Sequence, residues 1–125
     1  MVPQHRAKWV AAWEARAGHS HPHVKAGRVF TVSVRFRFDP AARAASLAAM
    51  RDVASLMRHE PGCVRFEVLE PLDDSDSLLF HEVWTDRAAW EAHLANRPSA
   101  IAALARTIGS GFAAPPEVML FTVVS

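Results

Sequence analysis

The hydrophobic pattern of the chain changes character at Val29. From there Phe30, Val32, Val34, Phe36 and Phe38 alternate with Thr31, Ser33, Arg35 and Arg37, the period of two that a half-buried strand requires. Asp39-Pro40 supplies an N-cap and a first-turn proline, after which Leu47, Met50, Ala54 and Met57 recur at helical spacing until Pro61-Gly62 ends the element. Val64, Phe66 and Val68 alternate with Arg65, Glu67 and Leu69, the polar stretch 71–77 reads as a turn, and residues 78–84 return as the second arm of a hairpin. Asp86 caps a helix on which Trp90, His93, Leu94 and Arg97 share a face, and Pro98 opens a further short helix carrying Ile101, Leu104 and Ile108 before Gly109 and Gly111. Pro115-Pro116 then leads into residues 118–124, apolar on both faces, which predicts a strand covered on both sides by helices, a neighbouring sheet or another subunit.

The resulting order, βαββααβ, is the split-βαβ pattern of an α+β ferredoxin-like fold with an antiparallel four-stranded sheet and its last helical segment broken in two. Helices on one face leave the other face bare, and a second copy of the same sheet, in a two-fold dimer, is a simple way to cover it.

Residues 1–28 differ from the rest, holding two of the four Trp and four of the seven His. They read as an N-terminal extension preceding the domain of residues 29–125. Trp9, Val10 and Trp13 fall on one face of a short amphipathic helix that should pack on the main domain or a partner subunit. His19, His21 and His23 form an HxHxH run that an extended segment would point one way, but with Pro22, Gly and Ser around it and no carboxylate nearby it reads as a solvated linker, and no metal site is expected.

Composition narrows the partners. The chain has 125 residues, half of them hydrophobic and 22% charged, which suits one domain with one core. Its net charge is +1, and no basic cluster alternates with aromatics, so nucleic acid is not an expected partner. No apolar run approaches the roughly 20 residues that span a bilayer, and the N-terminus lacks the apolar block of a secretion signal, so no membrane partner and a cytoplasmic location are expected. A single cysteine, Cys63, excludes an internal disulfide and reads as a small buried hydrophobe.

The candidate chemistry gathers on the hairpin and the helix after it. His93 lies one turn from Trp90 on an inward face, where an imidazole either exchanges a proton near neutrality or serves as a core histidine bonded to backbone or to Glu82. Trp84 and Trp90 either stack on a planar substrate or fill the core. His81 and Glu82 are consecutive on a strand, so only one of them belongs to a given pocket. Glu82 shares a face with Phe80 and Trp84, where it either orients His93 or bridges to Arg35 or Arg37, and those arginines are themselves expected to bond across a dimer.

Glu60-Pro61-Gly62-Cys63-Val64-Arg65-Phe66-Glu67-Val68, with Leu79-Phe80-His81-Glu82-Val83-Trp84, Ala89-Trp90-Glu91-Ala92-His93-Leu94 and Pro115-Pro116-Glu117-Val118, resembles the antibiotic-biosynthesis-monooxygenase domain family over about residues 29–124. The resemblance implies a dimeric α/β barrel with a pocket in each subunit between sheet and helices. It also implies oxidation of quinols or polycyclic aromatics by molecular oxygen with no metal or flavin, although relatives degrade haem, isomerise a sugar derivative or have no known activity. Trp84 and Trp90 match the strand tryptophan and helix aromatic of the polyketide-oxidising members, and His93 matches the histidine of the common helix motif. Their strand asparagine is Phe80 here, their later arginine is Leu104, and a second histidine is Ser99. The haem-degrading set falls at Val34, His93 and Ala103, which disfavours haem.

The leading expectation is a cofactor-independent monooxygenase acting on a small quinol or other electron-rich aromatic, with oxygen as co-substrate. His93 is the base, assisted by Glu82, and the ring is held by Trp84 and Trp90 with Phe36, Leu104 and Ile108 as apolar walls. A proton-transfer isomerase using His93 without oxygen and a non-enzymatic binding dimer are the alternatives.

Overall fold

Alternation produces β1, Phe30–Arg37, whose even-numbered residues are all fully buried. It stands at the centre of a four-stranded sheet in the order β2-β3-β1-β4, where β2 is Cys63–Leu69, β3 Ser77–Trp84 and β4 Glu117–Thr122. Every neighbouring pair is antiparallel, and this is the ferredoxin-like α+β arrangement. Helices α1, Arg43–Met57, and α2, Arg87–Asn96, follow β1 and β3. The structure, a computed structural model, describes residues 29–96, 102, 104–106 and 108–125. The predicted Trp9/Trp13 helix and the run His19, His21 and His23 lie outside these residues, as do Arg97, Pro98, Ser99, Ile101 and Ala103.

Asp39 does not cap α1 with its side chain. Pro40 instead opens a 3-10 turn, Pro40–Ala42, that carries the chain into the helix, and the Asp39 carbonyl accepts from Ala42 N at 2.8 Å. The intervening three-residue turn separates the aspartate from the start of α1 at Arg43. Asp86 does cap, its Oδ1 accepting from Ala89 N at 2.9 Å, one of the orphan donors at a helix start. α1 buries Ser46, Met50, Ala54 and Met57 against the sheet.

In β2 the register shifts between Cys63 and Arg65, with Cys63 opposite Trp84 and Arg65 opposite Val83. Val64 is the extra residue. The bulge turns it outward to 60% exposure, against the expectation that it shares the inner face with Phe66, and leaves Cys63 only partly buried at the core's edge. A bulge reverses facing in this way because it breaks the two-residue alternation.

The inner face is a row of rings. Phe36 meets Phe80 at 5.4 Å between centroids, Phe80 meets Phe66 at 5.0 Å, and Phe66 meets Trp84 edge-on at 6.5 Å. Each fully buried large side chain contributes about 1.5–3 kcal/mol relative to exposure. The outer face keeps Met119 at 54% and Phe121 at 41% exposure, while Val118 and Leu120 pack on the core. Within one chain β4 is therefore covered on one side.

Arg35 and Arg37, on the outer face, do not reach Glu82 on the inner one. Both pair with Asp74 in the β2–β3 loop, Arg37 Nη1 at 3.2 Å and Arg35 through Nη2. Ser77 Oγ donates to the same carboxylate at 2.7 Å and Asp76 N donates at 3.0 Å. The β1–β3 register, which sets Arg37 opposite Ser77, delivers the loop to the arginines. Among the described residues no helix is long and apolar enough to cross a membrane.

Asp74 generates a stability prediction. The Ser77 and Asp76 hydrogen bonds, then Arg35, lower its carboxyl from 3.8 to about 2. A depressed native value means a contribution present above the unfolded value of 3.8 and lost as pH falls through about 2. Urea unfolding at a series of acid pH values should show a shallower loss of stability for Asp74→Asn than for the wild type in that window; parallel curves would show that the knot is not formed in solution.

Candidate active site

Trp84 closes β3 and points inward, opposite Phe30 of β1 and Cys63 of β2. α2 then brings Trp90 and His93 onto the same end of the sheet at helical spacing. The His93 ring lies against Trp84, centroids 4.7 Å apart and tilted by 32°, with Phe66 at 6.3 Å. Trp90 packs on Phe30 at 5.3 Å. Both tryptophans are fully buried, and Trp90 Nε1 has no hydrogen-bond partner among the described residues.

Glu82 sits two residues before Trp84 on the same face and accepts from Trp84 Nε1 at 3.1 Å. It is wholly buried and its second oxygen has no hydrogen-bond partner among the described residues. Burial raises its carboxyl from 4.5 to about 8, with the indole bond pulling the other way. A carboxyl taken wholly out of water, with no cation beside it among the described residues, keeps its proton at neutrality. The expected role of Glu82 as an ionised partner orienting His93 is corrected on that ground: its hydrogen bond belongs to Trp84. Burial also raises the Cys63 thiol, with the Glu82 carboxyl acting in the same direction, so Cys63 is a poor nucleophile.

The carboxylate at His93 is Glu60. Its Oε1 lies 4.0 Å from His93 Nδ1, and the two side chains are 8% and 3% exposed. They open on a cavity of about 110 Å³ lined by Glu60, Pro61, Ala89, Ala92 and His93, between the turn before β2 and one flank of α2. Gly62 permits this approach: its φ is +81°, and a Cβ there would stand 2.5 Å from Ala89 Cβ.

The remaining expected residues lie elsewhere in the core. Phe36 is six residues along β1 from Phe30, about 20 Å at strand rise, in a cluster with Phe38, Phe80 and Phe112. It is not a wall beside Trp84 and Trp90, because β1 carries it to the other end of the sheet. Leu104 and Ile108 are buried in the core. Among the described residues no three His, Cys, Asp or Glu side chains gather to hold a metal ion. Glu60, Ala89 and Ala92 were not among the candidates; only the acidic residue directly before the Pro-Gly turn hinted at Glu60.

Residues 29–103, more than half of the chain, match the family model described as antibiotic biosynthesis monooxygenase. The chain belongs to the antibiotic biosynthesis monooxygenase family. A candidate antibiotic biosynthesis monooxygenase from Nitrosomonas europaea is similar in fold, with a TM-score of 0.71 and 20% identity over 80% of this chain and 94% of that one. Another, from Caulobacter crescentus, gives 0.69 and 18% identity over 79% and 92%. A crystal structure named simply antibiotic biosynthesis monooxygenase gives 0.67 and 25% over 77% and 99%. A search of the curated proteins gives no match. For a chain of the antibiotic biosynthesis monooxygenase family, the family-level activity is monooxygenation of a small molecule.

Glu82 can be tested without a substrate. Because its native value is raised, its contribution to stability is full below the unfolded value of 4.5 and is lost as pH rises towards about 8. Glu82→Gln, an uncharged isostere, should remove that slope and be more stable than the wild type, relative to acid conditions, above about pH 8. Denaturant unfolding across this range reads it; equal slopes would mean that the carboxyl finds a counter-charge in solution.

Proposed function

We propose that the protein is a cytoplasmic homodimeric monooxygenase that oxidises a small quinol or other electron-rich aromatic with molecular oxygen, without metal or flavin. The observation that carries this reading is a buried imidazole, His93, held between the Trp84 ring and the Glu60 carboxylate at the wall of a cleft. A neutral imidazole accepts a phenolic proton near physiological pH. The phenolate then passes an electron to oxygen; overall one oxygen atom enters the substrate, the other leaves as water, and the substrate supplies all four electrons.

The cleft, at about 110 Å³, is smaller than the roughly 300–1,000 Å³ of sites that enclose a drug-sized ligand. It suits the reacting edge of a ring. In this reading Trp84 and Phe66 act behind the imidazole, fixing its place, and the apolar side chains of Ala89, Ala92 and Pro61 exclude water from the edge of the ligand.

Oxygen uptake by metal-stripped protein over a panel of hydroquinones and polycyclic phenols tests the reading. Uptake above autoxidation is expected to survive chelation and to fall at least about tenfold in His93→Ala. Ala92→Leu, on an exposed position of α2, is expected to depress it by filling the cleft while leaving thermal stability near wild type. Turnover indifferent to anaerobiosis would favour a proton-transfer isomerase, and wild-type activity in His93→Ala would remove the proposed base.

The dimer is supported by the outer sheet face, where Met119 and Phe121 of β4 stand exposed, apolar side chains of the kind that mark an interface. Light scattering should give twice the chain mass, and Phe121→Glu should shift it to the monomer. A wild-type monomer at micromolar concentration would exclude the homodimer.

A further inference from the structure

We propose that Glu60 is the positioning residue of His93: it fixes the imidazole tautomer with the proton on Nδ1, leaving Nε2 as the basic nitrogen. This rests on the reading of His93 as the base and names the group that would orient it.

Three observations carry it. Glu60 Oε1 is the carboxylate oxygen at His93 Nδ1, 4.0 Å away, in a place where both side chains are nearly excluded from water. That separation is beyond a hydrogen bond, yet a carboxylate facing a ring nitrogen at low dielectric favours a proton on that nitrogen, and such contacts are often long before substrate is bound. The second observation is rigidity. Glu60 N donates to Met57 O at 3.0 Å, Glu60 O accepts from Cys63 N at 3.0 Å, and Gly62 O accepts from Thr85 N at 2.9 Å, so the turn is tied to α1, β2 and the end of β3. Close packing of Gly62 on Ala89 holds that turn against α2. The third is that the other buried carboxyl near the ring, Glu82, is engaged by Trp84 Nε1. Glu60 is thus the carboxylate that the structure places at His93 Nδ1, from the β2 side of the cleft.

Nitrogen NMR of histidine-labelled full-length protein decides it at a pH where the ring is neutral, with the His93 signals assigned by their loss in His93→Gln. The wild type should show Nδ1 protonated and Nε2 bare. Glu60→Gln, whose amide oxygen still accepts, should keep that form, and Glu60→Ala should return the ring to the Nε2–H form that an isolated imidazole prefers. A wild-type ring protonated at Nε2 overturns the proposal whatever the activity, as does a folded Glu60→Ala that retains Nδ1–H. Should Glu60→Ala fail to fold, the wild-type tautomer still decides. Undiminished oxygen uptake in His93→Ala would end the base reading while leaving the tautomer result intact, so the two failures are distinguishable.

Discussion

Water is kept from one face of the sheet by α1, α2 and the helical residues that include Leu104 and Ile108, and the positions of the remaining groups follow from that exclusion. β1 and β3 each send four side chains into the covered layer, and seven of these eight are apolar; the eighth is Glu82. A core of interlocked rings is stiff because close packing leaves little room for a ring to move without displacing its neighbours. His93, laid against Trp84 and Phe66, inherits that stiffness. An imidazole on a surface loop would have many orientations, whereas one wedged at the end of this aromatic row has few, as the base proposed above requires.

Placing carboxyls in such a layer has a cost that the two glutamates meet differently. Glu82 stays neutral, gives one oxygen to an indole N–H and needs no cation. Glu60 lies at the rim, where a cleft and an imidazole stand next to it. The first is a device of packing: it satisfies Trp84 Nε1, which would otherwise be a buried donor without an acceptor. The second faces the place where a ligand can arrive. Burial depth, and not residue type, separates their roles.

That distinction was out of reach of the sequence, whereas the fold was largely within it. β1 was legible because five alternating apolar residues have no competing reading, and α2 because an Asp cap precedes a Trp/His face at helical spacing. Val64 was misplaced because a bulge leaves no mark in the alternation until pairing is known. Asp39 looked like a cap but is separated from α1 by a 3-10 turn. The sequence points Arg35 and Arg37 to Glu82 or across a dimer and not to Asp74, because Asp74 is 39 residues from Arg35 in the chain and only the register brings them together. Glu60 escaped for the same reason: it is near His93 only through the packing of Gly62 on Ala89, a contact between two positions with no side-chain chemistry of their own.

Trp84 and Trp90 illustrate how this changes the chemistry that the site supports. Indoles on inward positions suggest a stacking platform, but both rings are already covered by protein, one by His93 and Phe66, the other by Phe30. A substrate would have to displace these partners to stack, giving up core contacts worth about as much as the new ones. Selection then falls to the cleft itself, through the shape left by Pro61, Ala89 and Ala92 and through the proton-accepting groups at its wall. On the proposed function, such a site would discriminate by what a ligand donates at its edge more than by the extent of its ring system, with the breadth of substrates set by how much of the molecule can remain outside.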